Sequence, residues 1–199
     1  LVARRLMYWQ VYLHKTSVAY ENMLVSALLR AKELASKGVE LFASPALKFF
    51  LYNDINRERF KSDPKCLENF ILLDDNDIWT ALKVWCNHND IILATLSQGM
   101  VNREIFKVEV SPTPCTEERL NAISERIAKQ LYINKEDTRY FISTPSIEKN
   151  MYNPADDSID ILYNDGSTTN IAEASDMLHL SVLSKKVKKY YICYLREKK

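Results

Sequence analysis

Glycine is scarce in this sequence, which has 199 residues and only three glycines, Gly38, Gly99 and Gly166. A phosphate-binding loop of the Walker or Rossmann type needs several glycines at fixed spacing, so both types of nucleotide site are excluded. The four cysteines are widely spaced and form no Cys-x-x-Cys pair, which argues against a structural zinc site. No signal peptide is visible in the sequence, so we expect reduced thiols and a cytoplasmic protein.

Excess charge and long apolar runs are also absent. The formal net charge is only +1, so we do not expect a nucleic-acid partner. The short basic run KKVKK (185–189) beside two tyrosines could contact a nucleic acid, but it is more typical of a solvated sheet edge. No apolar run approaches the roughly 20 residues that span a bilayer, so no membrane partner is predicted.

Apolar periodicity predicts a helix over residues 1–14 with two contrasting faces. One face is apolar and carries Val2, Leu6, Trp9 and Leu13. The opposite face combines cations and phenols and carries Arg4, Tyr8, Tyr12 and Lys15. Tyrosines between cations are better suited to lining a site than to facing solvent, so these four residues are candidates for binding.

Further helices are predicted from apolar spacing and from capping residues. One runs from Thr16 or Ser17, with Thr16 as its cap, to a stop at Gly38. Others cover residues 45–52, 74–85 and 90–99, the last ending at Gly99, while residues 53–64 are predicted to be a connector. Three residues of this region are predicted to belong to the core: Trp79, Trp85 and Cys86.

The character of the sequence changes after the prolines of residues 111–114. Thr116 is predicted to open a helix, and residues 105–110, 139–144 and 188–195 have the pattern of strands. Residues 158–171 predict a hairpin around an Asn-Asp-Gly turn. The predicted fold class is mainly α, with a helical region over residues 1–110 followed by a small α+β module over residues 111–199.

Three stretches carry a resemblance to a known family. ARRLMYWQVYLHKT (3–16), AYENMLVSALLRAKEL (19–34) and NREIFK (102–107) are similar to segments of the HD-domain phosphohydrolases, in particular the deoxynucleoside triphosphate triphosphohydrolases. The resemblance implies that residues 1–110 belong to the helical core of an HD-type fold. It also implies metal-dependent hydrolysis of a phosphoester or phosphoanhydride bond in a nucleotide substrate.

The family's metal ligands are not matched by this sequence. That family holds a divalent metal with a His, a His-Asp dipeptide and a later Asp, whereas the three histidines here, His14, His88 and His179, are never followed by Asp. The resemblance therefore implies that this is the C-terminal part of a longer enzyme, inactive alone and with no metal ligands of its own. Its expected partners are an upstream HD region that carries the divalent metal, the nucleotide substrate, and further copies in a homo-oligomer.

The resemblance also assigns roles to individual residues, none of them catalytic. Arg4 corresponds to a residue that contacts the substrate phosphates, and Tyr12 to one that packs on the sugar. Tyr8 and Lys15 are placed beside them. Arg103 and Lys107 correspond to residues that contact a regulatory nucleotide between subunits.

A second interpretation is open at this point. The same pattern could belong to a non-catalytic helical scaffold with an α+β protein-interaction module. In that case Arg4 and Tyr12 would contact protein groups or bulk solvent. The phosphohydrolase hypothesis instead predicts an open concavity beside them.

Overall fold

The computed structural model describes residues 2–149, 159–174 and 187–197. Its α-helices are α1 (Val2–Met7), α2 (Lys15–Ser36), α3 (Pro45–Tyr52), α4 (Arg57–Ser62), α5 (Pro64–Leu72), α6 (Asp75–Trp85), α7 (Ile91–Val101), α8 (Glu117–Leu131) and α9 (Ile171–Ala174). A π-helical turn covers Tyr8–Tyr12 and a 3₁₀ helix covers Lys135–Tyr140. The strands are β1 (Lys107–Ser111), β2 (Ile142–Ser143), β3 (Ser146–Lys149), β4 (Asp160–Leu162), β5 (Thr168–Asn170) and β6 (Val187–Tyr194). The predicted fold class, mainly α with a small α+β part, is confirmed.

Side-chain caps explain where several helices begin. Ser44 accepts from the amide of Leu47 at the start of α3, and Thr116 accepts from the amide of Arg119 at the start of α8. Asp74 and Asp77 form a reciprocal capping box at α6. These caps satisfy amides that have no partner inside the helix, and α3, α6 and α8 begin where the sequence predicted helices.

The predicted helix over residues 1–14 is wrong in its second half. After α1 the chain widens into a π-turn, in which the amide of Leu13 donates to the carbonyl of Tyr8 at 2.7 Å. The helix then breaks, because His14 is extended and its Nδ1 accepts from the amide of Thr16 at 3.2 Å. His14, not Thr16, therefore caps α2, and Lys15 begins a new helix instead of sharing a face with Arg4.

Four further expectations need correction. Gly99 lies inside α7, where a Cβ atom would come within 2.8 Å of the Cε of Met23, so its lack of a side chain lets α2 approach. Residues 57–62 form α4 instead of a connector, and only residues 142–143 of the predicted strand 139–144 are extended. Trp85 is buried as predicted, but Trp79 is 42% exposed.

Strand β6 is the centre of the main sheet. It pairs antiparallel with β1 along one edge, and with β2 and β3 along the other. Strands β4 and β5 form the predicted hairpin, and Gly166 takes the positive φ of +82° that its turn requires.

The helices and the main sheet share one hydrophobic core. Ala27 of α2, Leu93 of α7, Ile127 of α8 and Cys193 of β6 are all fully buried in it. The predicted domain boundary at residue 110 lies inside β1, where Val110 pairs with Tyr191 of β6. The boundary itself stays a prediction. Within the described residues, no helix combines the length and the apolar character needed to cross a membrane.

Candidate functional site

The N-terminal segment, defined here as residues 2–15, holds the first set of candidate binding residues. The rings of Tyr8 and Tyr12 lie 5.4 Å apart at the π-turn, tilted by 55°. Tyr8 is half-buried, whereas Tyr12 is 56% exposed and Lys15 is exposed at the start of α2. Arg4 lies in α1, but its side chain is outside the part of the chain that the structure describes. The structure thus brings the two tyrosines together and puts Lys15 on another helix.

Two hydrogen bonds hold the end of this segment to the rest of the molecule. The Ser17 hydroxyl donates to the carbonyl of Val11 at 2.9 Å. The Tyr191 hydroxyl, which comes from β6, donates to the carbonyl of Leu13 at 3.3 Å. The π-turn is therefore fixed against both α2 and the sheet.

The outer side of the segment is open. Leu6, Met7 and Val11 are each about half exposed. Five of the cavities among the described residues have no lining residue from this segment. Its described side chains present an open surface of phenol and apolar groups.

The second set of candidate residues lines a cavity at the other end of the sheet. This cavity, called the C-terminal cavity here, has a volume of about 660 Å³. Arg103, Gln130 and Arg196 contribute polar groups to its lining. A smaller cavity of about 250 Å³ adjoins it and is lined by Lys107, Arg126 and the same Arg196. Arg103 and Lys107 are therefore on one surface, although not as neighbours on a helix.

Arg103 has an unusual backbone conformation. Helix α7 ends two residues earlier, and Arg103 follows with a left-handed φ of +60°. The amide of Glu104 then donates back to the carbonyl of Gly99 at 2.8 Å, which closes the turn. Glycine is the residue usually found at this position of a helix end, because a side chain there is strained. Among the described residues, the Arg103 guanidinium has no hydrogen bond or ion pair.

The other cations of this surface are held in place by polar contacts. Arg196 donates to the carbonyl of Ile105 at 2.9 Å, and Arg126 donates to the carbonyl of Leu195 at 2.6 Å. Lys107 lies 3.2 Å from Glu109 and 5.7 Å from the Tyr194 ring, and these two groups raise the pKa of Lys107. Glu104 and Glu197 line the same surface, and Arg126 lies 3.5 Å from Glu197, so neighbouring carboxylates offset part of its positive charge.

A buried ion-pair network lies where α2, α7 and the 3₁₀ helix meet. Arg30 is only 9% exposed and donates to both carboxylate oxygens of Asp90, at 3.1 and 2.6 Å. Its guanidinium also lies 5.4 Å above the ring centre of Tyr140, whose hydroxyl donates to Glu33. This arrangement joins the helical part to the segment before β2.

The network stabilises the charged forms of its members. Burial alone would raise the pKa of Asp90, but hydrogen bonds from Arg30 and from the Leu93 amide lower it below its usual value. Hydrogen bonds from Lys37 and Tyr140, together with the charge of Arg30, lower the pKa of Glu33 to about 2. All these groups have partners, so we interpret the network as structural rather than catalytic.

Metal binding is not supported by the residues that the structure describes. Among them, no group of three or more His, Cys, Asp and Glu side chains could hold a metal ion. The Nδ1 atom of His14 accepts from the Thr16 amide, and that of His88 accepts from the Asp90 amide at 3.0 Å. His179 lies outside the described residues. The divalent metal implied by the resemblance therefore has no fitting ligand set in the described residues.

Sequence reasoning missed two groups of residues. Arg30 occupies a position on the buried side of α2 between Ala27 and Leu34, and a cation at such a position signals a buried partner. No sequence pattern indicated that Arg126 and Arg196 belong to the site. They come near residue 105 only because β1 pairs with β6.

Several known proteins are similar to this chain, although no family model matches it. A phosphohydrolase from Bacteroides thetaiotaomicron has a crystal structure that superposes with a TM-score of 0.94 and is 71% identical, over 98% of this chain and 48% of its own. The uncharacterized protein YwfO of Bacillus subtilis is 29% identical over 113 residues, which are 56% of this chain and 24% of YwfO.

A more distant similarity concerns the fold alone. A hypothetical protein from Aquifex aeolicus superposes with a TM-score of 0.52 at 19% identity, over 98% of this chain and 40% of its own. This chain thus spans about half the length of the Bacteroides phosphohydrolase and a smaller share of the other two proteins.

Proposed function

We propose that this chain is the substrate-contacting part of a metal-dependent nucleotide phosphohydrolase of the HD-domain type, acting on deoxynucleoside triphosphates. The observation that carries the proposal is the 71% identity to the Bacteroides phosphohydrolase over 98% of this chain. The metal and its ligands come from additional chain, which fits the 48% share of that relative covered here. A cytoplasmic location is part of the same proposal.

The N-terminal segment contacts the substrate in this proposal. Arg4 binds the phosphates, since a guanidinium offers a planar set of donors that suits phosphate oxygens. Tyr12 packs on the sugar, and the paired ring of Tyr8 supports it from a distance of 5.4 Å. In this proposal the additional chain supplies the facing wall of the pocket, because Leu6, Met7, Val11 and Tyr12 leave the outer side of the segment open.

An experiment that tests these roles uses a hybrid protein. The hybrid joins this chain to the part of the Bacteroides phosphohydrolase that the chain does not cover, in the order found in that relative. Arg4→Ala should lower kcat/KM for a deoxynucleoside triphosphate by about 10- to 100-fold, the cost of losing a hydrogen bond to a charged group. Arg5→Ala is the matched control, because neighbouring helix residues point about 100° apart.

The alternative, a non-catalytic scaffold, makes a different prediction for the same variants. If Arg4 has no substrate contact, Arg4→Ala and Arg5→Ala should both leave kcat/KM within about twofold of the unmodified hybrid. That result, with both variants folded, would argue against the assignment of the N-terminal segment.

The C-terminal cavity supports a second candidate function, the binding of a regulatory nucleotide through Arg103 and Lys107. Its volume of about 660 Å³ is within the range of ligand sites. The strained backbone of Arg103 supports this candidate, because a charged residue stands where glycine would be more stable. Arg196 would add charge beside the phosphates, whereas Arg126 is paired with Glu197 at 3.5 Å.

A glycine substitution separates binding from stability at this cavity. Arg103→Gly should raise the free energy of unfolding by about 1 kcal/mol by relieving the left-handed backbone. It should also weaken binding of a deoxynucleoside triphosphate by about 10-fold, measured by calorimetric titration. Tyr132→Gly is the matched control, since Tyr132 ends α8 with a φ of +56° and is almost fully exposed. If Arg103→Gly and Tyr132→Gly bind the nucleotide with equal affinity, the assignment of a regulatory site to this cavity is contradicted.

A further inference from the structure

Tyr191, in the middle of β6, joins the main sheet to the N-terminal segment. The residue is only 4% exposed, and its hydroxyl donates to the carbonyl of Leu13 at 3.3 Å. Leu13 directly follows the π-turn that carries Tyr8 and Tyr12. A buried phenol of the sheet therefore contacts the end of the turn on which two of the proposed substrate contacts lie.

Tyr191 is itself held firmly in the sheet. Its amide donates to the carbonyl of Pro145 at 2.9 Å, and the residue pairs with Val110 of β1. Cys193, two positions further along β6 and so on the same face of the strand, is completely buried in the core. The Tyr191 hydroxyl is therefore presented by a rigid element, and rigid elements hold a site more precisely than loops do.

The end of the π-turn is held by side chains from outside the turn. The last carbonyls of a helix have no partner within it, and here two of them accept from hydroxyls. The carbonyl of Val11 accepts from Ser17 at 2.9 Å, and that of Leu13 accepts from Tyr191. Because π-helical turns are rare and are frequent at functional sites, contacts that maintain one are candidates for a functional role.

The hydroxyl of Tyr191 is not needed for packing, since phenylalanine would fill the same buried space. Burying a hydroxyl costs free energy unless it is well bonded, and 3.3 Å is long compared with the usual O–H···O distance of about 2.7–2.8 Å. Burial raises the pKa of Tyr191, so its hydroxyl stays protonated and remains a donor at neutral pH. The position of the carbonyl that it contacts explains this hydroxyl better than stability does.

We propose that Tyr191 is a positioning residue for the substrate site, and that its hydroxyl holds the end of the π-turn where Tyr12 can pack on the sugar of a bound nucleotide. This inference rests on the proposed function. Tyr191 does not touch the substrate and acts through Leu13 and the turn.

Hydrogen exchange of the 199-residue chain, followed by nuclear magnetic resonance, tests the anchor without any enzymatic activity. In Tyr191→Phe, the amide of Leu13, which closes the π-turn, should exchange about 5- to 10-fold faster, whereas that of Leu195 at the end of β6 should not change. Tyr190→Phe is the matched control, because neighbouring side chains of a strand point to opposite faces, and it should change neither amide. An unchanged Leu13 amide, or equal acceleration at both amides, would overturn the proposal.

Kinetics of the hybrid defined above test the effect on the substrate. Tyr191→Phe should raise KM for a deoxynucleoside triphosphate about 5- to 10-fold and leave kcat within about twofold, because the sugar contact is made both in the bound substrate and in the transition state. Tyr190→Phe should leave KM and kcat unchanged. A loss of stability alone would not raise the KM of the folded hybrid.

Coupling to Tyr12 shows whether Tyr191 acts through the turn. Tyr12→Ala removes the sugar contact, so adding Tyr191→Phe should raise KM no further, whereas independent effects would multiply. An active hybrid that is impaired by Arg4→Ala, but in which Tyr191→Phe keeps its KM or multiplies the effect of Tyr12→Ala, would overturn this inference alone. A folded hybrid without activity would instead overturn the proposed function, and the exchange of Leu13 would still decide whether the hydroxyl holds the turn.

Discussion

Replacing Asp90 by alanine is expected to lower the free energy of unfolding by about 3–5 kcal/mol. The substitution removes the bidentate partner of the nearly buried Arg30 and leaves it only the longer contacts with Glu33 at 3.5 Å and Asp137 at 3.7 Å. It also removes the cap that accepts from the Leu93 amide at 2.8 Å. Breaking a buried pair by removing one partner is costly, since the remaining charge keeps its desolvation penalty. Urea unfolding followed by circular dichroism measures the effect.

Asp63→Ala is the matched control for this prediction. Asp63 also caps a helix, but its ion partner Arg59 is only half-buried and 3.8 Å away, so the loss should be about 1 kcal/mol. The double variant Arg30→Met with Asp90→Ala should recover part of the stability, because no buried charge is left unpaired. Equal losses for Asp90→Ala and Asp63→Ala would show that the buried ion pair contributes little.

Local signals were sufficient to predict much of the helical architecture. Caps such as Ser44, Asp74 and Thr116 act within three residues of the helix they begin, so a single stretch of sequence contains all the information. The hairpin 158–171 was predicted for the same reason, because its turn residues and its strands are adjacent.

Tertiary contacts explain the expectations that were wrong. Gly99 was expected to end a helix, but its position is set by the close approach of Met23, which is 76 positions away in the sequence. The π-turn depends in part on the Tyr191 hydroxyl, which contacts Leu13 from the last strand. Neither contact can be read from the residues around the turn or the helix end.

In the candidate site, too, contacts between sequence neighbours were predictable and contacts between distant residues were not. Tyr8 and Tyr12 were grouped by their spacing of four, and the structure confirms that their rings are close. Arg103 and Lys107 were grouped by the family resemblance, and they share a surface because the chain after β6 brings Arg196 to both of their cavities. Pairing over so long a separation follows from the packed sheet, not from a local pattern.

The second prediction with a large expected effect is that this chain has no hydrolytic activity by itself. The metal ligands would lie in the additional chain that we propose. Hydrolysis needs an attacking water that is activated, and a bound divalent metal commonly supplies that activation. The described residues offer no ligand set for such a metal. We therefore expect the 199-residue chain alone to release no tripolyphosphate from deoxynucleoside triphosphates above the uncatalysed background.

The most direct measurement compares this chain with the hybrid defined above, under identical conditions with Mg²⁺ or Mn²⁺ present. Release of nucleoside and tripolyphosphate should be catalysed by the hybrid at least about 1,000-fold faster than by the chain alone. Strong turnover by the chain alone would contradict the account, because its own residues would then suffice for the chemistry. A folded hybrid that hydrolyses no deoxynucleoside triphosphate would contradict the assignment of the substrate.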